Sequence, residues 1–337
     1  MEQNYNNQPD AGSDSRIRIS VALATCEGGS FLGGLLASLF SQTRIPDEIV
    51  VCDDVSTDNT VEIINSYIRQ YPGVIKLFVN DRRLGASANF ALAVSRCTGD
   101  IIFLADQDDL WEKDKISVMS TAIISAPSRP AAAFCDSFLI DEKGENLGVT
   151  HWQLRDFSPE KWQKGKEFDF LLRRVPAAGH NMAFEKNFIP YILPLPELDE
   201  VHDTFIALVI GGVGSWQLID RRLTAFRQHT GNLSGMYRGR GRWEQALYAI
   251  KFRRDEWNYR LFAALFERLS AVEGIPAEKL AQIRARMAYS LARSQLSPHF
   301  AGRVIPALKL LFSGKYHRFG RGIANFVQDV FLRSFCK

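Results

Sequence analysis

The segment Gly99-Asp-Ile-Ile-Phe-Leu-Ala-Asp-Gln-Asp-Asp-Leu-Trp111 joins an uninterrupted apolar run to a knot of acids. Ile101–Leu104 is short and apolar throughout, the pattern of a strand covered on both faces of a parallel sheet. It ends in three carboxylates within four residues, Asp106, Asp108 and Asp109. Like charges this close repel. A hard divalent cation resolves the repulsion, because Mg²⁺ or Mn²⁺ takes a few carboxylates and completes its shell with water and phosphate oxygens. The competing explanation is an Asp-rich turn in which Asp109 caps a helix over Leu110–Met119.

Upstream, Arg18–Thr25 is a first buried strand, followed by the turn Glu27–Ser30 and an amphipathic helix over Phe31–Gln42. Glu48–Cys52 is a second strand and also ends in acids, Asp53-Asp54-Val-Ser-Thr-Asp58, of which Asp58 suits the cap of a helix over Val61–Tyr71. Ile75–Val79 is a third strand, and Ser87–Ser95 a helix with Asn89 near its first turn. This alternation predicts a doubly wound, mostly parallel α/β sheet. Ligands bind at the C-terminal edges of such strands, where these acids fall. Gly28-Gly29 and Gly33-Gly34 lack the G-x-G-x-x-G spacing of a dinucleotide site, and there is no P-loop.

Downstream, Ala131–Phe134, Ser137–Ile140, Trp216–Ile219 and Leu223–Phe226 read as strands, and Thr204–Ile210 as an apolar helix opened by Val201-His-Asp203. From Trp243 the periodicity is helical. The chain has 337 residues, 46% hydrophobic, enough for one large domain with an appendage. A net charge of +3 implies no nucleic-acid partner. The five cysteines form no C-x-x-C pair, a reduced, cytoplasmic pattern. Met1–Ser15 is polar, reads as a disordered tail, and has no signal-peptide core. No apolar run nears the roughly 18 residues of a membrane span.

Ile19–Thr25, Asp53–Thr60, Asn80 with Leu84-Gly85 and Asn89, Gly99–Trp111, His202-Asp203, and Arg227-Gln-His229 with Asn232 stand in an order that resembles family 2 glycosyltransferases. The Asp-Gln-Asp-Asp-Leu-Trp form looks most like the rhamnosyltransferase-like bacterial members. The resemblance implies a GT-A fold over residues 16–235, with a nucleotide-sugar half and an acceptor half, and leaves 236–337 as a basic helical extension. It implies an inverting, metal-dependent transfer from a UDP- or dTDP-sugar to a hydroxyl of a glycan or lipid-linked glycan, with Mn²⁺ or Mg²⁺.

By the same resemblance, Asp108 ligates the metal, and Asp106 contacts ribose and the metal's water shell. Asp54 accepts from the pyrimidine ring N–H, which suits an acceptor-only carboxylate. Thr25, Glu27 and Asn89 line the donor site. Arg227 and His229 close over the diphosphate, with His229 on either metal or phosphate, and Asp203 is the general base. The base reading of Asp203 outweighs its alternative as an N-cap of Thr204–Ile210, and Trp111 suits either a donor wall or the core. Val55 departs from the family's usual Gly and Glu27 from its usual Asn. A sugar nucleotidyltransferase would need a basic glycine-rich loop after the first strand, which Thr25–Ser30 lacks. A degenerate, non-catalytic subunit would have lost Asp108 or Asp203.

The end of the chain falls outside these motifs. Leu291–Lys337 carries eight Lys/Arg against Asp329, a local balance of +7 that leaves the other 290 residues at −4. Val304, Ile305, Leu308, Leu311 and Phe312, then Ile323, Phe326, Val327, Val330 and Phe331, form two helical stripes. Two outcomes fit: helices packed on the domain with a solvated basic face, or a peripheral platform on an anionic inner membrane face.

Overall fold

A computed structural model describes residues 16–198, 202–229 and 254–332. Met1–Ser15, Val201, Asn232, the boundary at residue 235 and Trp243 lie outside the described residues. The strands are β1 (Ile19–Thr25), β2 (Glu48–Asp53), β3 (Ile75–Val79), β4 (Ile101–Asp106), β5 (Leu110–Trp111), β6 (Ala131–Ile140), β7 (Asn146–Thr150), β8 (Met182–Glu185) and β9 (Ser215–Arg227). Between them run helices α1 (Leu32–Phe40), α2 (Thr60–Gln70), α3 (Ala86–Arg96), α4 (Lys115–Ile124), α5 (His151–Leu154), α6 (Glu167–Arg173), α7 (Ile189–Ile192) and α8 (His202–Val213). After β9 come α9 (Arg254–Ser270), α10 (Ala277–Ser294), α11 (Phe300–Phe312), α12 (Lys315–Phe319) and α13 (Ile323–Val327).

All nine strands share one sheet in the order β3-β2-β1-β4-β8-β6-β9-β5, with β7 on β6. The half β3-β2-β1-β4 is parallel, β8 is antiparallel to both its neighbours, and β6 and β9 are parallel. Alternate residues enter opposite cores. Ala22, Val50, Cys52, Ile102 and Leu104 face α3 and α8, whereas Val21, Leu23, Val51, Ile101 and Phe103 face α1, α2 and α4. Both faces are covered, which is why these strands read as unbroken apolar runs. Leu261, Phe262, Leu265 and Leu269 of α9 and Ile283 of α10 join the α3–α8 core, so the first helices of the extension are built into the domain.

Three predicted elements differ. Leu110–Met119 is not one helix: Leu110-Trp111 pairs with Ala225 and Thr224 of β9, and α4 starts only at Lys115. Asp109 therefore caps nothing. Ala131–Phe134 and Ser137–Ile140 are one strand, because Cys135 and Asp136 stay within the ladder. Trp216–Ile219 and Leu223–Phe226 are also one strand, β9. Its register against β6 shifts between Ile219 and Thr224, so the polar Asp220–Arg222 between the two runs marks a bulge rather than a turn.

Glu48, at the opposite edge from the acids, fastens the base of the parallel half. Its buried carboxylate accepts from Ser20 Oγ (2.5 Å), Lys76 Nζ (2.6 Å) and Thr98 N and Oγ1 (2.5 and 3.0 Å). Burial alone would raise its pKa; the bonds from Lys76, Ser20 and Thr98 outweigh that and hold it at about 2. A depressed carboxylate stabilises the fold above its unfolded pKa and loses that contribution as pH falls toward the folded value. Glu48→Gln should therefore destabilise the protein at pH 7, by about 2 kcal/mol once solvent screening at half-exposed Lys76 is allowed for. The gap between the two melting curves should close between about pH 4.5 and pH 2.

Candidate active site

Parallel register carries the ends of β1, β2 and β4 to one edge, with Thr25 opposite Asp53 and Ala24 opposite Asp106. Gln107 couples the loops that follow. Its Oε1 accepts from Cys26 N and its Nε2 donates to Cys26 O, both at 2.9 Å. The β1 loop then runs against β2's: Glu27 N donates to Ser56 Oγ, Gly28 N to Thr60 Oγ1 and Gly29 N to Asp58 Oδ2. A Cβ on Gly28 would stand 2.3 Å from Gln107 Oε1, and one on Gly29 1.9 Å from Asn59 Oδ1. Close approach is the reason for this glycine pair.

The carboxylates of β2 are held from several sides. Asp53 accepts from Thr25 Oγ1 (2.8 Å), Ser56 N (2.9 Å) and Ser56 Oγ (2.6 Å). Asp54 accepts from Asn80 Nδ2 (3.0 Å), Leu84 N (2.7 Å) and Gly85 N (2.8 Å). A carboxylate offers about four acceptor positions, so Asp54 keeps one for a further donor. Asn89 is buried; it donates to Cys52 O (2.8 Å) and Thr25 O (3.3 Å) and accepts from Asn80. Thr25 and Asn89 thus brace the strand ends, and neither side chain is turned to the cleft. Glu27 accepts from Thr57 N (3.2 Å) and pairs with Arg83. Val55 sits at φ +59°, where a β-branched residue is strained by about 1–3 kcal/mol, the restriction expected of a residue in a glycine's place.

Each acid at the end of β4 has a different partner. Asp108 Oδ2 lies 2.8 Å from His229 Nε2, which follows β9. Asp109 is buried, accepts from Arg227 N (2.9 Å), and has no hydrogen-bond partner for Oδ2 among the described residues. Asp106 opens to the cleft. Burial, then the carboxylates of Asp108 and Asp203, push it up to about 8 against the pull of Lys115. Its side chain keeps 30% exposure, so water relieves part of that push.

Beneath the acids lies Lys115, fully buried. It donates to His180 O (2.6 Å) and Thr224 Oγ1 (2.9 Å), and its ammonium stands 3.7 Å over the Trp111 ring. Burial lowers its pKa to about 8, while Asp109 and Asp106 favour its charge. His180 stacks on Phe226 at 4.2 Å, with Nδ1 4.0 Å from Asp106. Burial, His151 and Lys115 hold His180 well below the usual histidine range, so it is neutral. Asp106, Asp109 and His180 form a compact set of possible ligands. The buried Lys115 ammonium acts on both of its acids, which disfavours a divalent ion at that depth. Asp108 and His229 face the cleft, and their oxygen and imidazole donors fit Mn²⁺. Trp111 belongs to the core, packed 5.7 Å from Phe103.

Arg227 differs from its expected diphosphate role. Its Nε donates to Asp108 O (2.9 Å) and its Nη1 to Asp141 O and Glu142 O (both 3.0 Å), with the guanidinium 4.9 Å over Phe31. With three carbonyls occupied and 7% exposure, it is a strut between the acid loop and the β6–β7 turn. Phe31 also meets the His229 ring at 4.9 Å.

Asp203, in the first turn of α8, accepts from Thr204 N (2.5 Å) and lies near enough to Asp106 for the two carboxylates to interact. His202 stacks on Phe90 at 4.3 Å. A Cβ on Gly179 would lie 3.5 Å from His202 Nε2 and 3.7 Å from both Asp106 oxygens, so the start of α8 and Asp106 both approach this glycine. Arg155, half-buried at the end of α5, lies near enough to Asp203 to feel its charge and donates to His151 Nε2 at 3.4 Å. Lys115, His180, Gln107 and Arg155 were not singled out in the sequence. The middle residue of Asp-Gln-Asp offered one signal, a neutral amide between two acids.

A mixed sheet of this order, with acids gathered at the C-terminal edge of its parallel half, is the GT-A architecture. The model of glycosyl transferase family 2 matches residues 20–188, half of the chain, and the protein belongs to that family. Among its relatives, the dTDP-rhamnosyl transferase RfbG of Shigella flexneri is 34% identical over 98 residues, 28% of this chain and 34% of that protein. The abequosyltransferase RfbV of Salmonella typhimurium is 30% identical over 127 residues, 37% of this chain and 36% of that one. The chain spans about a third of the length of the curated relatives it matches. Of solved structures, S. aureus TarS 1–349 in complex with UDP-GlcNAc shares the fold at TM-score 0.55 and 13% identity, covering 95% of this chain and 91% of that one.

Removing the buried cation should be costly, because it leaves carboxylates uncompensated. Lys115→Met is expected to destabilise the protein by about 3 kcal/mol in urea unfolding. Adding Asp109→Asn should recover part of that loss, giving a favourable coupling in the double-mutant cycle.

Proposed function

We propose that the chain is an inverting glycosyltransferase that moves a sugar from a pyrimidine nucleoside diphosphate to a hydroxyl of a glycan or lipid-linked glycan. The observation that carries the reading is the 2.8 Å approach of Asp108 and His229, 121 residues apart, across the cleft from Asp203. Asp108 and His229 would hold a divalent cation, with Asp106 beside them. When bound, such an ion supplies the positive charge that a departing diphosphate needs. TarS carries UDP-GlcNAc, and a Pyrobaculum calidifontis mannosyltransferase of the same fold carries GDP-mannose and Mn²⁺ (TM-score 0.50, 18% identity, 96% of this chain and 87% of that one), which supports a nucleotide-sugar donor and favours Mn²⁺ over Mg²⁺.

Asp54 would receive the base, using its remaining acceptor position for the N3–H that uracil and thymine share. The rhamnosyl and abequosyl relatives favour a dTDP- or related deoxysugar donor of cell-surface polysaccharide synthesis. Asp203 would take the proton of the attacking hydroxyl. Among the described residues no helix is long and apolar enough to cross a membrane.

Two substitutions separate the roles. Asp108→Ala should abolish Mn²⁺-dependent donor binding in a thermal-shift titration with UDP- and dTDP-sugars while the unliganded melting temperature stays near wild type. Asp203→Asn should leave donor binding unchanged and lower kcat about 10²–10⁴-fold, the scale of a lost general base. Normal transfer by Asp203→Asn would move the base elsewhere.

A further inference from the structure

Of the large apolar side chains exposed among the described residues, six of ten fall between residues 300 and 331. They are ordered by two helices. α11 packs inward through Arg303, Ala307 and Leu310 and turns Ile305 (63% exposed) and Phe312 (84%) outward, with Lys309 between them. α13 and the turn after it bury Asn325, Gln328, Asp329 and Val330, and turn out Ile323 (61%), Val327 and Phe331 (53%). The Phe331 ring meets that of Phe300, at the start of α11, at 5.9 Å, so the two outward faces are continuous. The predicted stripe on α11 is therefore not its inward face: none of Val304, Ile305, Leu308, Leu311 and Phe312 is buried, and of the second stripe only Val330 is.

This face is not a frayed end. Behind it, Arg303 is fully buried and donates to Val330 O (2.9 Å) and Pro298 O (2.6 Å). Asp329 accepts two bonds from Arg293 (2.7 and 2.8 Å) and one from Tyr316 Oη (2.7 Å). Asp329 is also the only acid in residues 291–332 and is buried, so the charges this segment exposes are all positive: Lys309, Lys315, Arg318 and Arg321. Arg318 shares its charge with Asp169 at 3.2 Å; no carboxylate among the described residues pairs with the other three.

We infer that the outward face of α11 and α13 is a membrane-docking surface that lies in the headgroup region of an anionic bilayer. A clamped apolar strip whose own segment, residues 291–332, exposes cations and no acid has the chemistry of an interfacial anchor. Burial of Ile305 and Phe312 supplies depth, and Lys309, Lys315 and Arg321 supply attraction to anionic headgroups. The inference rests on the transferase reading only in giving the anchor a purpose, since a lipid-linked acceptor is met at that surface. Binding is measured without donor or acceptor, so either reading can fail alone.

The test is co-sedimentation of the full chain with vesicles of equal parts phosphatidylglycerol and phosphatidylcholine, and with pure phosphatidylcholine. The wild type should sediment with the anionic vesicles and be released by salt. Ile305→Ser with Phe312→Ser should weaken that binding about tenfold or more, and so should Lys309→Glu with Arg321→Glu. Both variants should keep the wild-type melting temperature, since the side chains are exposed. Absence of wild-type binding, or binding that neither variant weakens, overturns the inference. So does a dimer in solution that Ile305→Ser with Phe312→Ser converts to monomer, because the face would then belong to a second copy.

Discussion

Asp106, Asp108 and Asp109 repel one another at the end of β4, and in the folded chain each is met by a group from outside that strand. His229 approaches Asp108, the Arg227 amide binds Asp109, and Lys115 underlies Asp106 and Asp109. Two of those partners and Thr224, which holds Lys115, come from β9 or the residues just past it. The thirteen-residue length of β9, its bulge against β6 and its pairing with Leu110-Trp111 follow from that duty. A shorter strand would reach the sheet without reaching the acids.

The two walls of the cleft are built differently. On the β1–β2 side, the carboxylates of Asp53 and Asp54 are bound by backbone amides, hydroxyls and Asn80, and Gln107 ties the β1 loop to the acid loop with a reciprocal pair of bonds. Preorganised dipoles of this kind need not rearrange when a ligand arrives. On the α8 side, Asp203 is held through its own helix start, and Gly179 brings the chain close to both His202 and Asp106.

The C-terminal helices show how amphipathicity can exceed the needs of packing. α9 and α10 spend their apolar residues on the main core, whereas α11 and α13 have a small core of their own around Tyr289, Leu310, Tyr316 and Phe319. That cluster, with buried Asp329 and Arg303, orients the helices without consuming their apolar surface. Exposed apolar area of this extent is uncommon on a protein surface that meets only water.

The sequence by itself determined the elements whose signal is local. Buried strands β1, β2 and β4 read as apolar runs, α2 and α3 as periodic segments, and the acids at strand ends marked the ligand edge, since parallel strands bring their C-termini together. The order of short motifs was enough to indicate the family. What depends on neighbours far along the chain was decided only by the tertiary structure. Leu110-Trp111 became a strand because β9 lies beside it, and Asp220–Arg222 a bulge because β6 continues past it. Arg227 turned inward because three carbonyls and Phe31 surround it, where its residue type suggested phosphate. Lys115 and His180 carried no signal at all: a lysine in a helix and a histidine in a loop look solvent-exposed until folding packs them beneath three carboxylates.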